Sequence, residues 1–209
     1  MTERQPRLIV GLLAAALGAA LVVYGALYAI PAWRFAQAEP HYDPVARGKL
    51  GSVVELDALT RALRTSPMRA DLNRAAFVQI VTAQREGLRS FRSETRMLAA
   101  RRDLRTGLRA SPSDGYAWTR LALAEHRLER REKAAAALSM ALQVAPADRK
   151  LVALQLDLAL LVWYDLDDGG KAAVARLLNE GRKWPDLAQA LSSNSADALR
   201  AKLAAARED

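Results

Sequence analysis

This chain of 209 residues contains no cysteine, which excludes disulfides and thiolate metal sites. Histidine is nearly absent too. His41 and His126 are the two copies, and neither has a carboxylate at a metal-binding spacing such as H-E-x-x-H. Phe, Trp and Tyr together make up 6% of the chain although 51% of it is apolar. The interior must therefore be built mainly from Ala and Leu, the two strongest helix formers. Strand signals are also lacking, since no Asn-Gly or Asp-Gly pair sits between two alternating runs. These absences leave an all-α reading, with room for one folded domain plus appendages.

What is abundant is arginine. The formal net charge is +8 at pH 7, with roughly four Arg for every Lys. The planar guanidinium suits bidentate recognition of carboxylate and phosphate. The bland alternative is that an Ala- and Arg-rich composition reflects a GC-rich genome.

Residues 8–30 carry no charge and no Pro. As a helix they would extend about 34 Å, enough for a hydrocarbon core of about 30 Å. Arg4 and Arg7 precede the run, and Trp33 and Phe35 follow it as interfacial aromatics would. The run exceeds the apolar region of about 7–15 residues in a cleaved signal peptide, and no cleavage sequence follows. The expectation is an uncleaved transmembrane helix over 8–30 in a bacterial inner membrane. Residues 1–7 would form a cytoplasmic tail, with the C-terminal domain in the periplasm. Gly11, Ala14, Gly18 and Gly25 form a smooth strip that another membrane helix could approach closely. Chance pairs in an Ala/Gly-rich span explain such a strip equally well.

Residues 31–51 hold three Pro and two Gly and read as a linker, with the helical domain over 52–209. Ser52 and Glu55 make a capping box for a helix reaching about Thr65, with Val53, Leu56, Leu59 and Leu63 on its apolar stripe. Ser66-Pro67 then restarts a helix to about Glu86, and another spans about Ser90 to Ala110. Further helices are expected near 148–164, 171–181, 186–191 and 196–206, the last of them capping the domain. Three segments end on a common pattern: Ala62-Leu63-Arg64-Thr65-Ser66-Pro67, Gly107-Leu108-Arg109-Ala110-Ser111-Pro112 and Ala141-Leu142-Gln143-Val144-Ala145-Pro146.

Pro112 and Pro146 lie 34 residues apart, the period of the tetratricopeptide repeat. Between them Trp118, Leu121 and Ala122 take the large, apolar and small positions of a first helix. Ala134, Leu138 and Ala141 take the small, large and small positions of a second. Residues 115–148 therefore resemble a complete tetratricopeptide repeat, with one departure: Glu125 stands where the family places a large aromatic. Upstream, only Ala100, Leu104, Gly107 and Pro112 match, and Pro67 to Pro112 spans 45 residues. The resemblance implies an α-solenoid that binds partners, with Trp118, Arg120, Glu125 and His126 as candidate contacts on its first helix.

No catalytic constellation, metal site or cofactor motif is found. Asp165-Leu166-Asp167-Asp168-Gly169-Gly170 lacks the twelfth-position acid of a calcium loop, where Arg176 stands. Arg85, Arg89, Arg92 and Arg96 fall at i, i+4, i+7 and i+11, a basic stripe if the helix is continuous there. It would be either a solvated face or a surface for lipid headgroups, anionic ligands or an acidic partner. Nucleic acid is not expected, because no aromatic-basic recognition motif is present. The anchor, the repeat and Ser111-Pro112-Ser113-Asp114-Gly115-Tyr116-Ala117-Trp118 also resemble small repeat proteins encoded with exopolysaccharide or O-antigen machinery. That likeness implies a nonenzymatic scaffold or adaptor among proteins of an envelope assembly. The rival readings are a chaperone-like accessory of membrane-protein insertion or cytochrome assembly, and a cytoplasm-facing regulator that binds acidic ligands.

Overall fold

The computed structural model describes residues 4–49, 51–66, 68–87, 90–146, 148–180 and 191–205, with the side chains of 4–14, 31, 34–35 and 180 excepted. Among the described residues every regular element is helical. In chain order they are α1 (Arg4–Ala46), α2 (Val53–Leu63), a 3-10 turn (Arg69–Asp71), α3 (Leu72–Arg85), α4 (Phe91–Ala110), α5 (Gly115–Arg127), α6 (Arg131–Val144), α7 (Val152–Leu161), a 3-10 turn (Trp163–Asp165), α8 (Asp168–Glu180) and α9 (Asn194–Ala205).

The first corrections concern α1. Among the described residues no helix is long and apolar enough to cross a membrane. The helix runs well past the apolar stretch that ends at Ile30. Beyond it come Glu39, His41 and Asp43. The transmembrane helix over 8–30 and the single-pass inner-membrane placement, cytoplasmic tail included, are therefore withdrawn. Gly18 and Gly25 have nothing within 4 Å of an added Cβ, and the Gly11 and Ala14 side chains lie outside the described residues.

Nor does Pro31 end the helix, and the expected linker is helical as far as Ala46. Each interior Pro removes one backbone donor and crowds the preceding turn, but tertiary burial offsets that cost here. Ala38, Tyr42 and Val45, at i, i+4 and i+7, pack with Leu56, Leu59 and Leu63 of α2 and with Ala75, Val78 and Val81 of α3. Gly48, at φ 81°, then closes α1 in a Schellman turn: Lys49 N–H donates to Pro44 O at 2.8 Å and Gly48 N–H to Val45 O at 3.0 Å.

The capping box of α2 forms as expected, with Glu55 N–H donating to Ser52 Oγ at 3.2 Å and Ser52 N–H to Glu55 Oε2 at 2.6 Å. The next helix opens at Leu72, later than Ser66-Pro67 suggests. Ser66 Oγ instead accepts from Met68 N–H at 3.1 Å and donates to Asp71 Oδ2 at 2.5 Å. Pro67 lies outside the described residues. Once formed, α3 is two-faced. Ala75, Val78 and Val81 face the α1–α2 cluster, while Ala76, Ile80 and Ala83 join a larger core built from α4 to α9.

That larger core is made of helix pairs. α3 packs on α4, α5 on α6, and α8 on α6, while α9 covers α7 and α8. Close approach is enforced by small residues. A Cβ on Gly107 would lie 2.0 Å from Asn73 Oδ1, and one on Gly115 would lie 2.2 Å from Ala145 Cβ. α8 starts at Asp168, so Gly169 and Gly170 belong to its first turn rather than to a helix-breaking loop. Asp167 Oδ1 accepts from Gly170 N–H at 2.7 Å and from Ser139 Oγ at 2.9 Å, which holds its carboxyl below the ordinary range. The helix expected near 186–191 lies outside the described residues except for Leu191.

Candidate interaction surfaces

The four candidate residues on α5 do not form one site. Positions 116 and 120 share one side of the helix, and 118, 121 and 125 share the other, because four residues advance about one turn. Tyr116 and Arg120 line a cleft of about 610 Å³ with Tyr42, Asn73, Arg74 and Lys150. Trp118, Leu121 and Glu125 line a separate groove of about 460 Å³ with residues of α4 and α6.

Along the first cleft two arginines and three rings meet in series. The Arg74 guanidinium sits 5.6 Å from the Tyr42 ring centroid, and Tyr42 meets Phe77 edge-on at 6.0 Å. Arg120 lies 4.0 Å over Phe77 and 5.6 Å from Tyr116. Such contacts are worth about 0.5–1 kcal/mol each when exposed and more when desolvated. The ladder joins α1, α3 and α5 and fixes the rotamers of side chains that would otherwise be free. Its outer members are tethered as well. Arg74 Nη1 pairs with Glu39 Oε1 at 2.9 Å, and Tyr116 Oη donates to Asp148 Oδ1 at 3.1 Å. Burial, then that hydrogen bond to a carboxylate, pushes the Tyr116 hydroxyl above its ordinary pKa.

On the opposite side, Glu125 is 2% exposed. Arg101 Nε donates to its Oε1 at 2.7 Å. A buried ion pair thus joins α4 to α5. Glu125 Oε2 has no hydrogen-bond partner. Trp118 Nε1 donates to Pro112 O at 2.8 Å, tying its indole to the connection before α5. His126 faces neither group. It is half-buried, its Nδ1 lacks a partner, and burial with Arg127 and Arg131 nearby lowers its pKa.

The arginine stripe is dispersed. Gly87, at φ 87°, breaks the helix between Arg85 and Arg92, and Arg89 lies outside the described residues. Arg85 donates to Gly51 O, and Arg92 is exposed. Arg96 is structural. It donates from Nε to Glu86 Oε2 at 2.7 Å and from Nη2 to Asp57 Oδ2 at 3.1 Å, binding α4 to the end of α3 and to α2. The Arg96 hydrogen bond holds the Glu86 carboxyl below its ordinary range.

Exposed basic residues lie elsewhere on α4. Phe91, Thr95, Leu98, Arg102, Arg105 and Arg109 are all exposed, at i, i+4, i+7, i+11, i+14 and i+18. Their spacing is a helical period carried within one element. The ladder offered no such signal, since Tyr42, Phe77 and Arg120 come from three helices. Among the described residues no group of three or more His, Asp and Glu side chains could hold a metal ion. Comparison with family models, with curated proteins and with solved structures returns no match to this chain.

Proposed function

We propose that this chain is a noncatalytic adaptor of the tetratricopeptide-like kind, which holds a segment of a partner protein in the cleft between α1, α3 and α5. The observation that carries this reading is the ladder from Arg74 through Tyr42, Phe77 and Arg120 to Tyr116. Arg and Tyr are the side chains in which binding energy concentrates. Side chains ordered before binding spare the complex the entropy of ordering them. The cleft also carries Arg47 and Lys150 beside Asp43, Asp71 and Asp114, a mixture suited to a polar peptide with both signs of charge. The likeness to repeat proteins of polysaccharide loci makes proteins of that machinery the first partners to test.

The test is affinity capture of the full chain followed by identification of what is bound. Arg120→Glu and Phe77→Ala are expected to release the partner while far-UV circular dichroism stays unchanged. Undiminished capture by both folded variants would overturn the reading.

A further inference from the structure

The groove on the other side of α5 has a different chemistry, and it goes beyond the adaptor reading. Its floor is apolar: Leu108 and Leu121 are each 5% exposed, with Ala136 and Ala137 beside them. Met140, at 36%, and Ala136 are its exposed members. Its rim is cationic, with Arg105 and Arg109 on α4 and Lys133 across on α6. None of these three forms an ion pair among the described residues. Glu125 does not neutralise them, because its charge is already matched by Arg101.

Helix chemistry accounts for only part of this rim. Arg109, in the last turn of α4, is favoured there by the macrodipole. Lys133 lies in the first turn of α6, where the same field disfavours a cation. Three uncompensated cations around an apolar floor repel one another, and an anionic occupant relieves that repulsion. Glu125 adds a second requirement. Glu125 lines the groove, and its buried Oε2 lacks a donor. A peptide brings N–H groups that satisfy such an oxygen. A phosphodiester or sulfate group, which only accepts, does not.

We propose that the groove between α4, α5 and α6 docks an acidic segment of a protein, its carboxylates held by Arg105, Arg109 and Lys133. An apolar side chain of that segment covers Leu108, Leu121 and Met140. Arg105 and Arg109 are four apart on one helix, so their heads suit acids spaced one helical turn apart in the ligand. The chain then holds two segments of different chemistry on opposite sides of α5.

The probe is a short fluorescein-labelled peptide of Glu with Leu at helical spacing, titrated with the full chain by fluorescence anisotropy. Its counterpart with every Glu replaced by Gln is the control. The Glu/Leu peptide is expected to bind, to weaken as salt rises, and to lose about tenfold or more in affinity with Arg105→Glu/Lys133→Glu. Should that double variant fail to fold, the milder Arg109→Gln must still weaken binding. Arg120→Glu is expected to leave it unchanged, which separates this groove from the ladder cleft. Equal binding of the Gln/Leu peptide, or undiminished binding by the folded charge variants, overturns the proposal. Displacement of the peptide by heparin or by phosphatidylglycerol vesicles at equal charge concentration also overturns it, by reassigning the groove to polyanions in general.

Discussion

The hairpins α3–α4 and α5–α6 have similar outlines and different interiors. The second is closed by small and apolar residues: Ala122, Ala134, Leu138 and Ala141 are each no more than 1% exposed. The first buries Asn73, Gln79, Ser93 and Asp103 and is tied to its surroundings by polar groups. Asp103 Oδ2 accepts from Arg64 Nε and from Gln79 Nε2, both at 2.8 Å, which joins α4 to the end of α2 and to α3. Asn73 Nδ2 donates to Asp114 Oδ2 at 2.9 Å, reaching forward to the cap of α5. The α5–α6 interior is held chiefly by fit, although Thr119, Glu125 and Ser139 are buried in it. The α3–α4 hairpin adds directed pairs to its apolar packing, so the two should fail differently.

The largest expected effect is in the first kind. Leu138 is fully buried, and Leu138→Ala should cost about 2–5 kcal/mol through lost transfer energy and the cavity left behind. Urea unfolding measures it. A loss well under that range would mean α6 can collapse onto the space, contrary to a core set by jigsaw packing.

A smaller and qualitatively different loss is expected from Arg96→Leu, which strands Glu86 and Asp57 at a cost of about 1–3 kcal/mol. Its pH dependence is the discriminating feature. Arg96 lowers the folded-state pKa of Glu86. The stability this confers is therefore fully present above the ordinary carboxylate range and disappears as pH falls through the depressed folded value. Wild type and Arg96→Leu should converge in stability on acidification, whereas Leu138→Ala should run parallel to wild type. Parallel curves for both variants would erase the distinction between the hairpins.

The same distinction explains what was legible in the sequence. Ala122, Ala134, Leu138 and Ala141 announce themselves by spacing, because helix-to-helix fit within one hairpin is a local matter. Arg64, Arg96 and Asn73 reach Asp103, Asp57 and Asp114, which lie 39, 39 and 41 residues away, and no periodicity connects them. Glu125 shows both limits. Its departure from the repeat pattern was visible, but the Arg101 that neutralises it stands on another helix, 24 residues away. Residues 31–46 misled for a related reason: three prolines signal a break locally, while the burial of Ala38 and Val45 that keeps α1 helical is supplied by α2 and α3.

The connectors sharpen the comparison at the smallest scale. The turn after α3 holds Gly87, with φ 87°, and the turn after α5 holds Glu129, with φ 59°. Both stand in the left-handed region, where a Cβ meets the following carbonyl at a cost of roughly 1–2 kcal/mol. At Glu129 the Schellman bonds hold the backbone there nonetheless: Arg130 N–H donates to Glu125 O at 2.9 Å and Glu129 N–H to His126 O at 3.0 Å. Glu129→Gly removes the Cβ cost but adds unfolded-state entropy of about 0.5–1 kcal/mol. A net gain of about 0.5–1 kcal/mol should remain. Gly87→Ala should lose a similar amount, and since nothing lies within 4 Å of a Cβ there, the loss would be purely conformational. Thermal unfolding of both variants checks the pair. If Glu129→Gly destabilises instead, the Glu129 side chain contributes more than its backbone costs, and the turn of the regular hairpin is held by a contact rather than by geometry.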